Sequence, residues 1–450
     1  MIDRLTLVAL APLALFSLRA PTLAAQETLP LDEAVRRALL THPAVAAAEA
    51  RAAGAEAREG VVRSAWFPYL SVSATGTRFQ EPMLVSPLHS FEIVAKPEFD
   101  NTLYRGNVDL SWTLFEGGGR SARVRGAEAR YGSVAARAEA TRQDMTAQVV
   151  GTYANLLSLR EAHEAQQTRL EALLAERDRV NRLLAEGRAP EVERFRAEAS
   201  IARAEADLAE LEAGILARTH ELARLVGLDG VGLDARVLRA VALTTPDPSP
   251  VDKIPDSLET DLATPELVAA RSALRAAEAD HGAASAEWFP RLFVSGGLRS
   301  YGGSDVDFTT EWQAGLGFEY PIFSGFSRAR RVAEASAAET AAREDLKSTR
   351  LAVADRADRA MEAVRGAATS AEALGAAERH LVEVVRIEKL SLSEGAGLQT
   401  DYLRAEAELA ETRAAKARAV NLHVVARAEL ARARGELTLE WVRDNLESLP

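Results

Sequence analysis

The sequence contains no cysteine. That absence excludes thiol nucleophiles, cysteine-based zinc sites, disulfides and a lipid anchor on an N-terminal cysteine. Beyond residue 25 there is no run of eighteen apolar residues, so the rest of the chain offers no helix able to span a membrane. An exported chain of this kind is either soluble or part of a β-barrel. Positive charge is in deficit, with 54 Lys and Arg against 66 Asp and Glu and a net charge of -12. Phosphate contacts need clustered cations, whereas Arg here is interleaved with Glu and Ala, as on a solvated helix surface, so nucleic acid is excluded as a partner. The seven histidines (His42, His89, His163, His220, His281, His380, His423) lack ligand spacing. His42, just before Pro43 at a helix start, reads as a cap or packing residue.

Enzyme signatures are missing as well. Gly117-Gly118-Gly119 follows a strand and opens a helix, but it lacks the Lys-Ser/Thr of a phosphate loop and the spacing of a dinucleotide fingerprint. It reads as a strand-to-helix exit. Carboxylate pairs abound on the helices, yet they come with arginines one turn away, as solvated faces do. The sequence calls for no cofactor and no catalytic group.

What is present begins with an export signal. Arg4 opens a weak basic region, Leu5 to Leu18 is apolar except for Thr6, Pro12 and Ser17, and Thr22-Leu23-Ala24-Ala25 supplies small residues for cleavage. Residues 1–25 are therefore expected to be a signal peptide.

The remainder is duplicated. Trp66-Phe67-Pro68 recurs as Trp288-Phe289-Pro290, a shift of 222 residues, and His42-Pro43 aligns with Thr264-Pro265. Farther on the shift is 208, relating Phe115 to Phe323, Gly117 to Gly325, Arg120 to Arg328, Glu186-Gly187 to Glu394-Gly395 and Gly227 to Gly435. The first copy thus carries extra residues between Gly76 and Phe115, including Pro82, Pro87 and Pro97, and these predict a longer loop. The expected division is a first repeat over 26–243, a Pro- and Asp-rich linker over 244–264, a second repeat over 265–435, and a tail over 436–450. Each repeat reads as helix, hairpin, very long helix, Gly-marked break and returning helix. The first helices are predicted from Leu31 to Ala65 and from Pro265 to Glu287. The hairpins fall in 66–115 and 288–323.

Proline is absent from 118–186 and from 326–394, where Ala, Glu, Arg and Leu dominate. At 1.5 Å per residue, each span is a helix roughly 100 Å long. Leu346, Val353, Ala360, Ala367, Leu374 and Leu381 repeat every seven residues, as in a coiled-coil seam. The breaks at 187–190 and 395–398 lead into returning helices over 190–226 and 398–434. Gly187 and Gly395 permit positive φ at tight turns, and Pro190 suits the first turn of the next helix.

The hairpins alternate. Val108, Leu110, Trp112 and Leu114 point one way against Asn107, Asp109, Ser111 and Thr113. Trp312, Ala314, Leu316, Phe318, Tyr320 and Ile322 do the same against Gln313, Gly315, Gly317 and Glu319. Trp66, Phe67, Phe115, Trp288, Phe289 and Phe323 cluster at strand ends, as in the aromatic girdles of outer-membrane barrels. Four strands cannot close a barrel, but three chains would supply twelve and enclose water with the polar faces inward.

This order of elements resembles the TolC family of outer-membrane efflux proteins over nearly the whole mature chain. The most specific match is the helix turn, with Gly187, Glu193, Arg194, Phe195 and Ala197 in one copy and Gly395, Asp401, Tyr402, Leu403 and Ala405 in the other. The sequence departs from the family pattern at Arg194, at Pro190 and Leu398, and at Arg404, with Arg196 in the first copy. The resemblance implies a mainly α protein with a β-barrel contribution. A homotrimer would form a twelve-strand barrel in outer-membrane lipid above an α-helical periplasmic tunnel. A belt would form from the linker and the tail near Trp441. The closed tip would meet a periplasmic adaptor and, through it, an inner-membrane pump. The same resemblance places Asp401 at a constriction; there either pairs of Asp401 or Glu193 with Arg194, Arg196 or Arg404 would make a mixed ring, or these arginines would face solvent or the adaptor. The other reading is a periplasmic coiled-coil adaptor or scaffold without a barrel, which would not need two alternating, aromatic-rich hairpins.

Overall fold

The structure is a computed structural model that describes residues 29–89, 97–228, 241–243 and 263–448. The expected signal peptide and nearly all of the expected linker lie outside these residues. Where one helix was expected from Leu31, there are two, α1 (Leu31–Thr41) and α2 (Pro43–Arg63). Pro43 forces His42 into an extended conformation (φ -72°, ψ 127°), and the His42 ring Nδ1 accepts from the Ala44 N–H at 3.2 Å as the new N-cap. A short 3₁₀ turn (Ser64–Trp66) leads to β1 (Tyr69–Leu84) and β2 (Phe99–Phe115). β1 therefore runs well past Gly76, into the segment expected to be loop. Its register slips between Arg78 and Met83, and Pro82 sits inside that slip, where no ladder hydrogen bond is required of it.

Helix α3 (Gly119–Ala185) has 67 residues and returns as α4 (Glu191–Leu225). The short β3 (Val241–Leu243) precedes the second repeat, which holds α5 (Pro265–Ala286), β4 (Arg291–Gly303), β5 (Thr309–Glu319), α6 (Ser327–Ser393, again 67 residues) and α7 (Gln399–Arg434). β5 stops before Tyr320 and Ile322, although their alternation continues, because Pro321 cannot donate to the ladder. The tail forms α8 (Leu439–Asn445) and β6 (Leu446–Ser448), and β6 pairs antiparallel with β3.

Strands β1, β2, β4 and β5 form one antiparallel sheet in that order. The long helices form a layer in the order α4, α3, α7, α6, with α5 packed on α3 and α6. The seam residues Leu346, Val353, Ala360 and Ala367 are buried. The largest apolar core lies neither in the sheet nor at the helix turns. It lies between them, where Leu31, Val35, Tyr153, Leu156, Leu222, Val424, Leu437, Val442 and Leu446 gather α1, α3, α4, α7, α8 and β6. Tyr153 is sealed there, donating its hydroxyl to the Leu29 carbonyl at 2.8 Å.

Candidate functional site

The sheet has two chemically distinct faces, and its register carries them across all four strands. One row reads Val72, Val108, Leu298, Trp312, and another reads Leu70, Leu110, Gly296, Ala314. Side chains alternate along each strand, so the neighbouring rows fall on the opposite face. These are Ser73, Asn107, Arg299, Glu311 and Ser71, Asp109, Gly297, Gln313. Asn107 Nδ2 donates to Ser73 Oγ at 3.3 Å on that polar face. The apolar face is bare, with Val72 and Trp312 each 77% exposed. No helix among the described residues packs across it. Among the described residues, the outer edges of β1 and β5 also lack a partner strand.

The aromatic residues picked out by sequence lie at the end of the sheet nearest the helices, and all six (Trp66, Phe67, Phe115, Trp288, Phe289, Phe323) are exposed. Sequence reasoning noted the repeat of Arg120 and Arg328 without giving them a role. Both are buried. Arg120 donates to the carbonyls of Ala65 and Thr113, and Arg328 to those of Glu287, Pro321 and Ile322. Each therefore pins the segment entering a hairpin to the segment leaving it. The Trp112 indole N–H adds a bond to the Trp66 carbonyl at 3.0 Å. Gly117, at φ 61°, turns the chain from β2 into α3 against Phe289 and Ala286.

At the far end, the two turns share one hydrogen-bond pattern. Gly187 (φ 70°) donates to Leu184 and Arg188 to Leu183, while Gly395 (φ 77°) donates to Leu392 and Ala396 to Ser391. This glycine-dependent closure satisfies the last carbonyls of each long helix. Pro190 and Leu398 stand at the caps, extended, rather than inside the first turn of α4 or α7. Arg194 pairs with Glu191 and Glu198 at 3.0 and 2.9 Å and lies over Phe195. Arg404 pairs with Glu408 at 3.4 Å, and Arg196 and Asp401 are exposed. Among the described residues of one chain, no ion pair joins Asp401 or Glu193 to these arginines. Arg194 and Arg404 turn instead to Glu191, Glu198 and Glu408, one turn away on their own helices.

Tyr402 is buried and donates to Glu406 Oε1 at 2.9 Å. Burial, and then the Glu406 and Glu176 carboxylates, push its phenol above the ordinary range. Gln399, also buried, reaches the Glu193 carbonyl of the other turn at 3.4 Å. The chain is thus a long helical layer with paired turns at one end and a bare two-faced sheet at the other.

A model of the outer membrane efflux protein family matches residues 34–228 and 260–436. The chain belongs to that family. This efflux-family chain is similar to Protein CyaE of Bordetella pertussis, 27% identical over 362 residues that make up 77% of this chain and 71% of CyaE. Its fold matches the outer membrane protein VceC of Vibrio cholerae (TM-score 0.75, 18% identity, 90% of this chain and 96% of that one). It also matches the Campylobacter jejuni CmeC outer membrane channel (TM-score 0.77, 18% identity, 90% and 86%). As a member of this family, the protein resides in the outer membrane, with its long helical portion in the periplasm.

Proposed function

We propose that three copies of this chain close into a passive exit duct, a twelve-strand barrel in the outer membrane continuous with a periplasmic helical tunnel. The observation that carries this reading is the bare apolar face between two unpaired sheet edges. Water would not tolerate that face and lipid would not tolerate those edges, so a closed oligomer satisfies both. The helical layer supports the same closure, because α4 and α6 are its free flanks. Exposed Val192, Phe195 and Leu216 on α4, and Val384, Ile387 and Leu390 on α6, would meet between copies.

On this reading the chain is not an enzyme. The tip around Gly187, Glu193, Gly395 and Asp401 docks a periplasmic adaptor that links the duct to an energised inner-membrane pump. Small molecules, metal ions or proteins leave through it. Residues 1–25 are a cleaved export signal, 26–243 and 265–435 are the two repeats, and 244–264 with 436–450 form the belt. At the tip, exposed Arg404 and Arg196 from three copies stand beside three Asp401 side chains as a mixed-charge ring. If Arg404→Ala leaves ion selectivity in planar bilayers unchanged, that ring does not line the passage.

Fractionation tests the main reading. The duct requires detergent for extraction, migrates as a trimer and conducts in bilayers. A protein extracted in aqueous buffer as a monomer would instead favour the adaptor reading.

A further inference from the structure

At the end of the sheet away from the helices, the first hairpin does not stop at its own turn. His89 lies five residues beyond the end of β1, yet its Nε2 sits 2.6 Å from Glu311 Oε1 on β5. β1 and β5 are opposite edges of the sheet, separated by three strand spacings, about 14 Å. Glu311 shares its row with Arg299, Asn107 and Ser73, so its side chain is on the polar face. To reach it, the outer end of the first hairpin must fold over the sheet on that face.

Two further observations fit this path. Asp100, near the start of β2, accepts from the Asp305 N–H at 3.0 Å and from Ser304 Oγ at 2.9 Å, which ties the first hairpin over the turn of the second. Leu103 shares a row with Thr77 and Gly303, on the polar face. Leu103 is nevertheless 2% exposed, whereas Thr77, Thr75 and Ser73 are open to solvent. Val85, which still donates to the Glu98 carbonyl at 3.0 Å at the outer end of the first hairpin, is buried as well.

We propose that residues 86–89 and the hairpin end that carries them form a strap folded inward over the polar face, held by the His89–Glu311 pair, so that three straps narrow the outer mouth of the duct and limit the size of solute that passes it. This inference rests on reading the polar face as the barrel lumen. It places a size-limiting element at the outer end of the passage, separate from the helical tip.

The absence of cysteine allows a direct test. In intact cells, the full chain carrying Ser111→Cys on the polar face is labelled from outside. One reagent is a small impermeant maleimide and the other is a maleimide bearing a long polyethylene glycol. Adding His89→Ala or Glu311→Gln is expected to speed the long reagent about threefold, the shift that loss of one partly exposed hydrogen bond gives, and to leave the small one unchanged. The exchanged pair His89→Glu with Glu311→His is expected to restore the original rate. An unchanged rate for the long reagent in both single variants would overturn the strap alone. If the small reagent fails at Ser111→Cys but reacts at Leu110→Cys, the lumen assignment fails and the strap with it.

Discussion

The guanidinium of Arg328 lies 4.6 Å from the centre of the Trp288 ring, and Arg120 lies 4.4 Å from that of Trp66, its counterpart in the other half of the chain. Both cations are buried, and backbone carbonyls rather than carboxylates take most of their hydrogen bonds. Removing one strips two or three backbone carbonyls at the junction of their donor and empties a buried site. Arg328→Ala is therefore expected to destabilise the protein by about 3 kcal/mol, read as a lowered unfolding midpoint in detergent. Arg328→Lys recovers only part of the loss, because a point charge cannot serve the same fork of carbonyls. An unshifted midpoint for Arg328→Ala would show that the junction holds without this pin.

Two glycines with similar backbones should respond differently. Gly187 has φ 70° and open space around the site of a Cβ, so Gly187→Ala costs about 1 kcal/mol for the left-handed conformation alone. Gly117 has φ 61°, and a Cβ there would fall within the Phe289 side chain and 2.8 Å from the Ala286 carbonyl. Gly117→Ala is expected to cost about 3 kcal/mol, strain and overpacking together. Urea unfolding of the two variants side by side checks the order, and equal losses would contradict the packing at Gly117.

The assignment of the sheet faces has a sharp consequence. Trp312→Arg places a charge on the lipid side at a cost of about 3 kcal/mol per chain near the bilayer centre. Gln313→Arg, one residue on, places it in water. The first variant should be depleted from the outer-membrane fraction and the second should accumulate normally. The reverse pattern would invert the two faces.

Glu33 provides a pH test away from the membrane. Hydrogen bonds from Arg36 and then Arg37 lower its carboxyl from 4.5 to about 2. A carboxylate held down in the folded state adds stability above its unfolded pKa, and that stability is lost as pH falls through the folded value. The midpoint difference between the wild type and Glu33→Gln should be steady above about pH 5 and fade toward pH 2. A difference that grows with acid would reverse the sign and reject the assignment.

Much of this molecule was legible in order along the chain. Helix length followed from where proline is missing, and the turns at Gly187 and Gly395 followed from glycine after an unbroken helix. The two faces of Asn107–Phe115 followed from strict alternation. These are local signals, set by backbone sterics and side-chain period. The break at His42 was signalled by Pro43, although the apolar pattern on both sides suggested a single helix. The Pro82 strand and the short β3–β6 pair were not legible, because a register slip and a three-residue ladder leave no periodic trace.

By itself, then, the sequence determined the duplicated order of elements, the length of the helices and the polarity of each strand face, because each depends on residues near one another in the chain. Only the tertiary structure decided that Arg120 and Arg328 are buried pins, that the tip arginines pair along their own helices, and that His89 crosses the sheet to Glu311. Those outcomes depend on which distant backbone carbonyls and carboxylates the fold brings within hydrogen-bonding reach, and no pattern along a single segment encodes that.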